Sequence, residues 1–176
     1  MTLVTQTHSA DETHALARRI GELLRAGDVV VLEGELGTGK TVFAKGIAVA
    51  LGITEPVVSP TFTVVREYDA PLPLVHVDVY RLDHLQELHD LGFDDLVGSD
   101  AVTVVEWGDH VSALLPADRL DVRLEPGATD DDRVVAIDAA GRSWVARRDA
   151  LTAVVERPHS PDSGTDSDSG TGTGAG

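Results

Sequence analysis

VVVLEGELGTGKT, residues 29–41, joins a run of branched apolar residues to a glycine-rich segment that ends in a lysine and a threonine. Val29 to Gly34 has the composition of a strand buried on both faces. From Gly34 through Gly39 to Lys40 and Thr41, the spacing is that of a phosphate-binding loop, G-x-x-x-x-G-K-[ST]. Past the loop, Phe43, Ile47, Ala50 and Leu51 recur at helical spacing, and Gly52 supplies a C-terminal stop. Strand, loop and helix follow in the order such a loop requires. The expected fold is therefore α/β: a single P-loop NTPase-type domain with a mixed central sheet flanked by helices.

The loop carries its own chemistry. Gly37 and Gly39, on either side of Thr38, leave the backbone free to curl around phosphate oxygens, so that successive N–H groups form an anion nest at a helix N-terminus. Lys40 is placed to neutralise β and γ phosphates, the Thr41 hydroxyl to complete a magnesium shell, and the Val42 amide to reach an α-phosphate.

Outward from the loop, LVTQT (3–7) reads as a short strand. Ser9 and Glu12 have capping-box spacing before Leu16, Ile20, Leu23 and Leu24, which predicts a helix of about four to five turns ending near Gly27. Phe62–Tyr68 and Leu74–Tyr80 read as a hairpin, Asp83–Leu91 as an amphipathic helix, and Ala101–Glu106 as a second buried strand. Segments 119–125, 133–138 and 143–147 look like short antiparallel strands, followed by a helix over about 148–156. The domain is expected over 1–156. Residues 157–176, mostly Ser, Gly, Thr and Asp, are expected to form a disordered tail.

Composition narrows the classes. At 176 residues, 42% hydrophobic and 25% charged, the chain suits one soluble domain. It has no apolar run near the roughly 18 residues of a spanning helix, and its start lacks the pattern of an export signal. A cytoplasmic protein with no membrane contact is expected. The absence of cysteine excludes disulfides, thiolate catalysis and cysteine-ligated metals. A net charge of -16 weighs against direct grip on a nucleic-acid backbone, so any RNA is expected to be held by a partner.

Several further residues carry two readings each. Glu106, ending AVTVVE, is the acid expected near the metal, or an ordinary charged strand end. Trp107 beside it is a core or rim aromatic, or a nucleotide-sensing or partner contact. In LVHVDVYRL, period two puts His76, Asp78 and Tyr80 opposite a valine face, leaving Asp78 towards a cleft or solvent. There it orients an attacking water or binds metal through water, or is a plain edge-strand carboxylate. The His76/Asp78 pair lacks a third ligand, which argues against zinc. Thr61, in SPTF, either senses a γ-phosphate or merely opens a strand. No N/T-K-x-D motif exists, because the lysines are Lys40 and Lys45, so ATP is favoured over GTP; the D-x-x-G match at Asp95–Gly98 carries little weight. A small-molecule kinase would want an arginine-rich lid, and the later arginines are scattered.

GELGTGKTVFAKGIAVALGI, VSPTFTVVREY, HVDVYRL, ELHDLGFDDL and VVEWGD together resemble the ordered motifs of the bacterial TsaE (YjeE) family, the ATPase of tRNA threonylcarbamoyladenosine (t6A) biosynthesis. The resemblance covers about residues 9–150. It implies a P-loop α/β domain that binds ATP or ADP with magnesium, hydrolyses ATP slowly alone, and works with TsaD and TsaB, which modify adenosine 37 of tRNA. The implied task is to reset the TsaD–TsaB complex between turnovers, touching tRNA only through those partners. Lys40 and Thr41 match the family's nucleotide and magnesium residues, Glu106 its metal acid, and Asp78 its acid supporting hydrolysis. Thr61 falls in the switch motif and Trp107 in the E-W motif. The resemblance also implies that His8–Asp11 borders the adenine and that Arg133 is the candidate late basic residue. A small-molecule kinase, a nucleotide-gated binding module that does not hydrolyse ATP, and a regulatory ATPase with other clients remain as alternatives.

Overall fold

β2 (Val29–Glu33), the strand that leads into the glycine loop, lies at the centre of a seven-stranded mixed sheet. The computed structural model describes residues 1–61, 63–80, 93, 97 and 100–157, with His110 in its backbone alone. The expected helix over Asp83–Leu91, Asp95 and Gly98 of the D-x-x-G match, and the tail from residue 158 lie outside the described residues. In chain order the elements are β1 (Thr2–Thr7), α1 (Ala10–Gly21), β2, α2 (Lys40–Ala50), β3 (Val65–Tyr68), β4 (Leu74–Asp78) and β5 (Val102–Glu106). A 3-10 segment (Gly108–Leu114), β6 (Arg119–Pro126), β7 (Arg133–Ala140), α3 (Arg142–Val145) and α4 (Arg148–Val155) follow.

The strand order is β1-β7-β6-β2-β5-β4-β3. β6, β2, β5 and β4 run parallel, and the outer pairs β7/β6, β1/β7 and β3/β4 are antiparallel. Both sides of the sheet are covered. Val30, Leu32, Val104 and Leu120 pack with Leu16 and Ile20 of α1 and Phe43 and Ile47 of α2. Val29, Val31, Val77 and Val105 pack with Phe93 and Val111 on the other side. The strand expected at Leu74–Tyr80 is therefore buried on both faces, and Asp78 is only 3% exposed rather than open to solvent. No helix among the described residues is long and apolar enough to cross a membrane.

Two expectations need correction. α1 spans 12 residues, not four to five turns. Leu24 keeps the helical burial pattern, but the chain there runs through tighter turns (Leu23 N–H to Ile20 O, 3.0 Å; Leu24 N–H to Gly21 O, 3.0 Å). Arg147 donates to the Leu23 carbonyl at 3.0 Å, satisfying a group that the helix would otherwise have used. Arg147 also pairs with Asp28 through its second nitrogen at 2.7 Å, and both side chains are buried. The second correction is residues 143–147, which form helix α3 and its end rather than a strand. Gly141, at φ 90°, turns the chain, and Asp118 accepts the Ser143 N–H at 3.1 Å, an N-terminal cap supplied from 25 residues away. Trp144 is thereby buried.

α2 can carry the loop because α1 lies very close against it. A Cβ on Gly46 would sit 2.4 Å from the His14 carbonyl oxygen and 2.6 Å from the Ala17 Cβ. Gly46→Ala is therefore expected to destabilise the fold by about 1–2 kcal/mol, the overpacking against backbone outweighing the gain in helix propensity. A urea-unfolding midpoint equal to that of the parent chain would contradict this packing.

Candidate active site

The carboxyl ends of β2, β5 and β4 carry the site. Leu32 pairs with Glu106, and Glu106 pairs with Asp78, so the phosphate loop, one acid and a second acid stand side by side across a parallel ladder. Gly34, Gly37 and Gly39 have φ of 139°, 82° and 102°, which an L side chain adopts only with strain. Gly34 also passes so near β6 that a Cβ would lie 2.3 Å from the Leu124 carbonyl oxygen. The loop ends at the first turn of α2, whose leading amides have no intrahelical acceptor. Free amides at a helix start beside a bare loop have the chemistry of an anion cradle.

Lys40 is buried. Its Nζ donates to the Gly34 and Glu35 carbonyls at 2.7 and 2.8 Å and lies 3.5 Å from the centre of the Trp107 ring. Burial pushes its pKa down, opposed by the charges of Glu106, Asp78 and Asp109. Trp107 adopts left-handed backbone, φ 63°, and stacks against Tyr80 with ring centres 4.7 Å apart. The Thr41 hydroxyl donates to Glu106 Oε2 at 3.0 Å, while Glu106 Oε1 meets His76 Nε2 at 2.9 Å.

Asp78 accepts three hydrogen bonds. Its Oδ2 accepts from Ser59 Oγ at 2.6 Å and Thr61 Oγ1 at 2.8 Å, and its Oδ1 accepts from the Tyr80 amide at 3.0 Å. Val64, at φ 65°, ends the turn after Thr61, and its carbonyl accepts the Asp78 N–H at 2.9 Å. Lys40, Thr41, Glu106, Trp107, Asp78 and Thr61 thus converge. Sequence reasoning gave no role to Ser59 and considered His76 only as a zinc ligand; the alternation that puts His76 on the Asp78 face was the available signal. Arg133, the candidate late basic residue, lies against the loop, donating to the Thr38 carbonyl at 2.9 Å and the Gly37 carbonyl at 3.3 Å.

The donor set suits a hard divalent ion. A hydroxyl and a carboxylate oxygen lie 3.0 Å apart beside the cradle, and magnesium commonly takes one or two such protein oxygens with phosphate and water completing its shell. Among the described residues no group of three or more His, Asp or Glu could hold a metal without such help.

Known proteins match most of the chain. Residues 7–135 match the family described as Threonylcarbamoyl adenosine biosynthesis protein TsaE. The chain is 43% identical over 140 residues to the tRNA threonylcarbamoyladenosine biosynthesis protein TsaE of Bacillus subtilis, covering 79% of this chain and 87% of that protein. Its identity to the Mycobacterium tuberculosis protein of the same description is 50% over 135 residues, 70% and 79% of the two chains. Among solved structures, Bacillus subtilis YdiB superposes with a TM-score of 0.76 at 36% identity, covering 87% of this chain and 95% of that one.

At the rim, His8 Nδ1 lies 2.9 Å from Asp132 Oδ1, which joins the start of α1 to the β6–β7 loop. That hydrogen bond raises the His8 pKa and lowers that of Asp132. Since the folded histidine pKa is raised, this contact contributes below the ordinary histidine pKa and is lost as pH climbs through the raised value. The aspartate's contribution is lost as pH falls through its depressed value. In an NMR titration His8 should protonate at higher pH than a free histidine, and Asp132→Asn should bring it down; an unmoved midpoint would refute the pairing.

Proposed function

The chain belongs to the TsaE family of threonylcarbamoyl adenosine biosynthesis proteins, and from that premise we propose that it is a magnesium-dependent ATPase of the tRNA t6A37-modifying machinery. In this reading it acts in the cytoplasm, cycles a TsaD–TsaB complex between turnovers, and meets tRNA only through those partners. The observation that carries the proposal is the contact of the Thr41 hydroxyl with Glu106 Oε2 at 3.0 Å, set directly beside a phosphate loop.

ATP or ADP binds with its phosphates on the α2 amides and the Gly37–Val42 loop. Lys40 exchanges its bonds to the Gly34 and Glu35 carbonyls for β and γ phosphate oxygens, a short swing because the ammonium already lies inside the loop. Thr41 and Glu106 would hold magnesium, which would supply charge neutralisation when bound. Water attacks the γ-phosphorus, the bond to the β-phosphate oxygen breaks, and ADP and phosphate leave. Asp78 orients that water while its Oδ2 is held by the Ser59 and Thr61 hydroxyls. This couples the Ser59–Thr61 segment to hydrolysis and gives partners a place to act. Trp107, over the Lys40 ammonium, registers which arrangement is present.

That engagement of Asp78 also favours a second reading, a nucleotide-gated module that holds ATP uncleaved. A small-molecule kinase finds no comparable support.

ATP hydrolysis with magnesium, measured alone and with purified TsaD and TsaB, separates these readings. Stimulation by the partners is expected. Lys40→Ala should abolish nucleotide binding, and Glu106→Ala should lower magnesium-supported hydrolysis on the order of 100-fold while affecting binding less. Tight ATP binding with no hydrolysis, even with partners, would leave the gated module; unchanged turnover in both variants would remove the phosphate-loop argument. Arg133→Ala, which frees two loop carbonyls, should weaken ADP binding about tenfold in calorimetry.

A further inference from the structure

We propose that His76 is a positioning residue that sets the orientation of the Glu106 carboxylate, and through it the magnesium affinity of the nucleotide complex. The inference rests on the reading of Glu106 as the metal acid given above.

His76 occupies an unusual place for an imidazole. It lies on the face of β4 that Leu74 shares with Val102, Val104 and Leu32, beneath the packed α1/α2 layer, and it is fully buried. Its Nδ1 has no hydrogen-bond partner among the described residues. A buried polar ring with one unmatched nitrogen is costly where an aliphatic side chain would fill the space. The bond that His76 does make is to Glu106 Oε1, at 2.9 Å.

That bond fixes more than a distance. A carboxylate oxygen only accepts, so the proton of this contact sits on His76 Nε2. With Oε1 held by the imidazole, Oε2 is the oxygen turned to Thr41. His76 and Glu106 come from neighbouring parallel strands, His76 paired in register with Val104, so the two side chains meet diagonally on one face. Without the imidazole, the Glu106 carboxylate is free to rotate about its side-chain bonds, and the pairing of one oxygen with Thr41 is no longer imposed. Partners that orient a metal ligand in this way typically alter metal affinity by about 10–100-fold when removed.

The test uses the full chain and a fluorescent ADP analogue, reading the magnesium concentration at which the analogue's binding tightens, with binding in chelator as the reference for an intact loop. His76→Leu should raise the magnesium midpoint about tenfold. His76→Gln, which keeps an N–H of similar reach, should restore it to within about threefold, and His76→Leu combined with Glu106→Ala should be no worse than Glu106→Ala alone. A parental midpoint in a folded His76→Leu would overturn the proposal. So would a His76→Gln as impaired as His76→Leu, which would mean that shape alone matters, or losses that add to those of Glu106→Ala. If Glu106→Ala itself keeps the parental midpoint, the metal reading of Glu106 fails first, and that outcome is distinct from the others. Should His76→Leu not fold, His76→Asn, whose amide falls short of Glu106, takes its place, and an unchanged midpoint there overturns the proposal.

Discussion

The parallel ladder of β4, β5 and β2 is the constraint on which everything else depends. Parallel pairing brings the carboxyl ends of the strands to the same edge of the sheet, and the register fixes Leu32 beside Glu106 and Glu106 beside Asp78. A slip of one residue would turn Glu106 to the other face, away from α2 and Thr41. The bare loop then needs only to carry the chain from the end of β2 to the start of α2, close enough for Thr41 to reach across to β5.

Much of this was legible locally. The loop, β2 and β5 declare themselves because their signals lie within a dozen consecutive residues: branched apolar runs, glycines at fixed offsets, a lysine and a hydroxyl. What the sequence hid was non-local. α1 stops early because Arg147, 124 residues away, takes the Leu23 carbonyl, whereas the periodicity of Leu23 and Leu24 runs on. α3 replaces an expected strand because Asp118 caps it from a distance, which no window around Ser143 reveals. Asp78 was read as facing a cleft or solvent because alternation assumes one covered face, while the α1/α2 layer covers the side of β4 that it shares with Leu74 and His76.

The site shows the same division. Spacing proposes candidate roles for Lys40, Thr41 and Glu106, but not the arrangement of their partners. Arg133 is bonded to the Thr38 and Gly37 carbonyls of the loop, and Asp78 to the Ser59–Thr61 turn; neither follows from spacing. The chain spends much of its polar chemistry inside, tying loop to strand, with its large negative charge left to the surface.

The placement of the two tryptophans gives the molecule an optical property of its own. Trp107 is wedged between the Lys40 ammonium and the Tyr80 ring, next to the phosphate loop. Trp144 is sealed beneath the Arg147 guanidinium near the amino end of β2, at the opposite edge of the sheet. A cation lying against an indole alters its emission, so movement of one ammonium is written into the light of one tryptophan while the other holds a steady background. The intrinsic fluorescence of the unlabelled chain is thus a local reporter on the lysine of its phosphate loop.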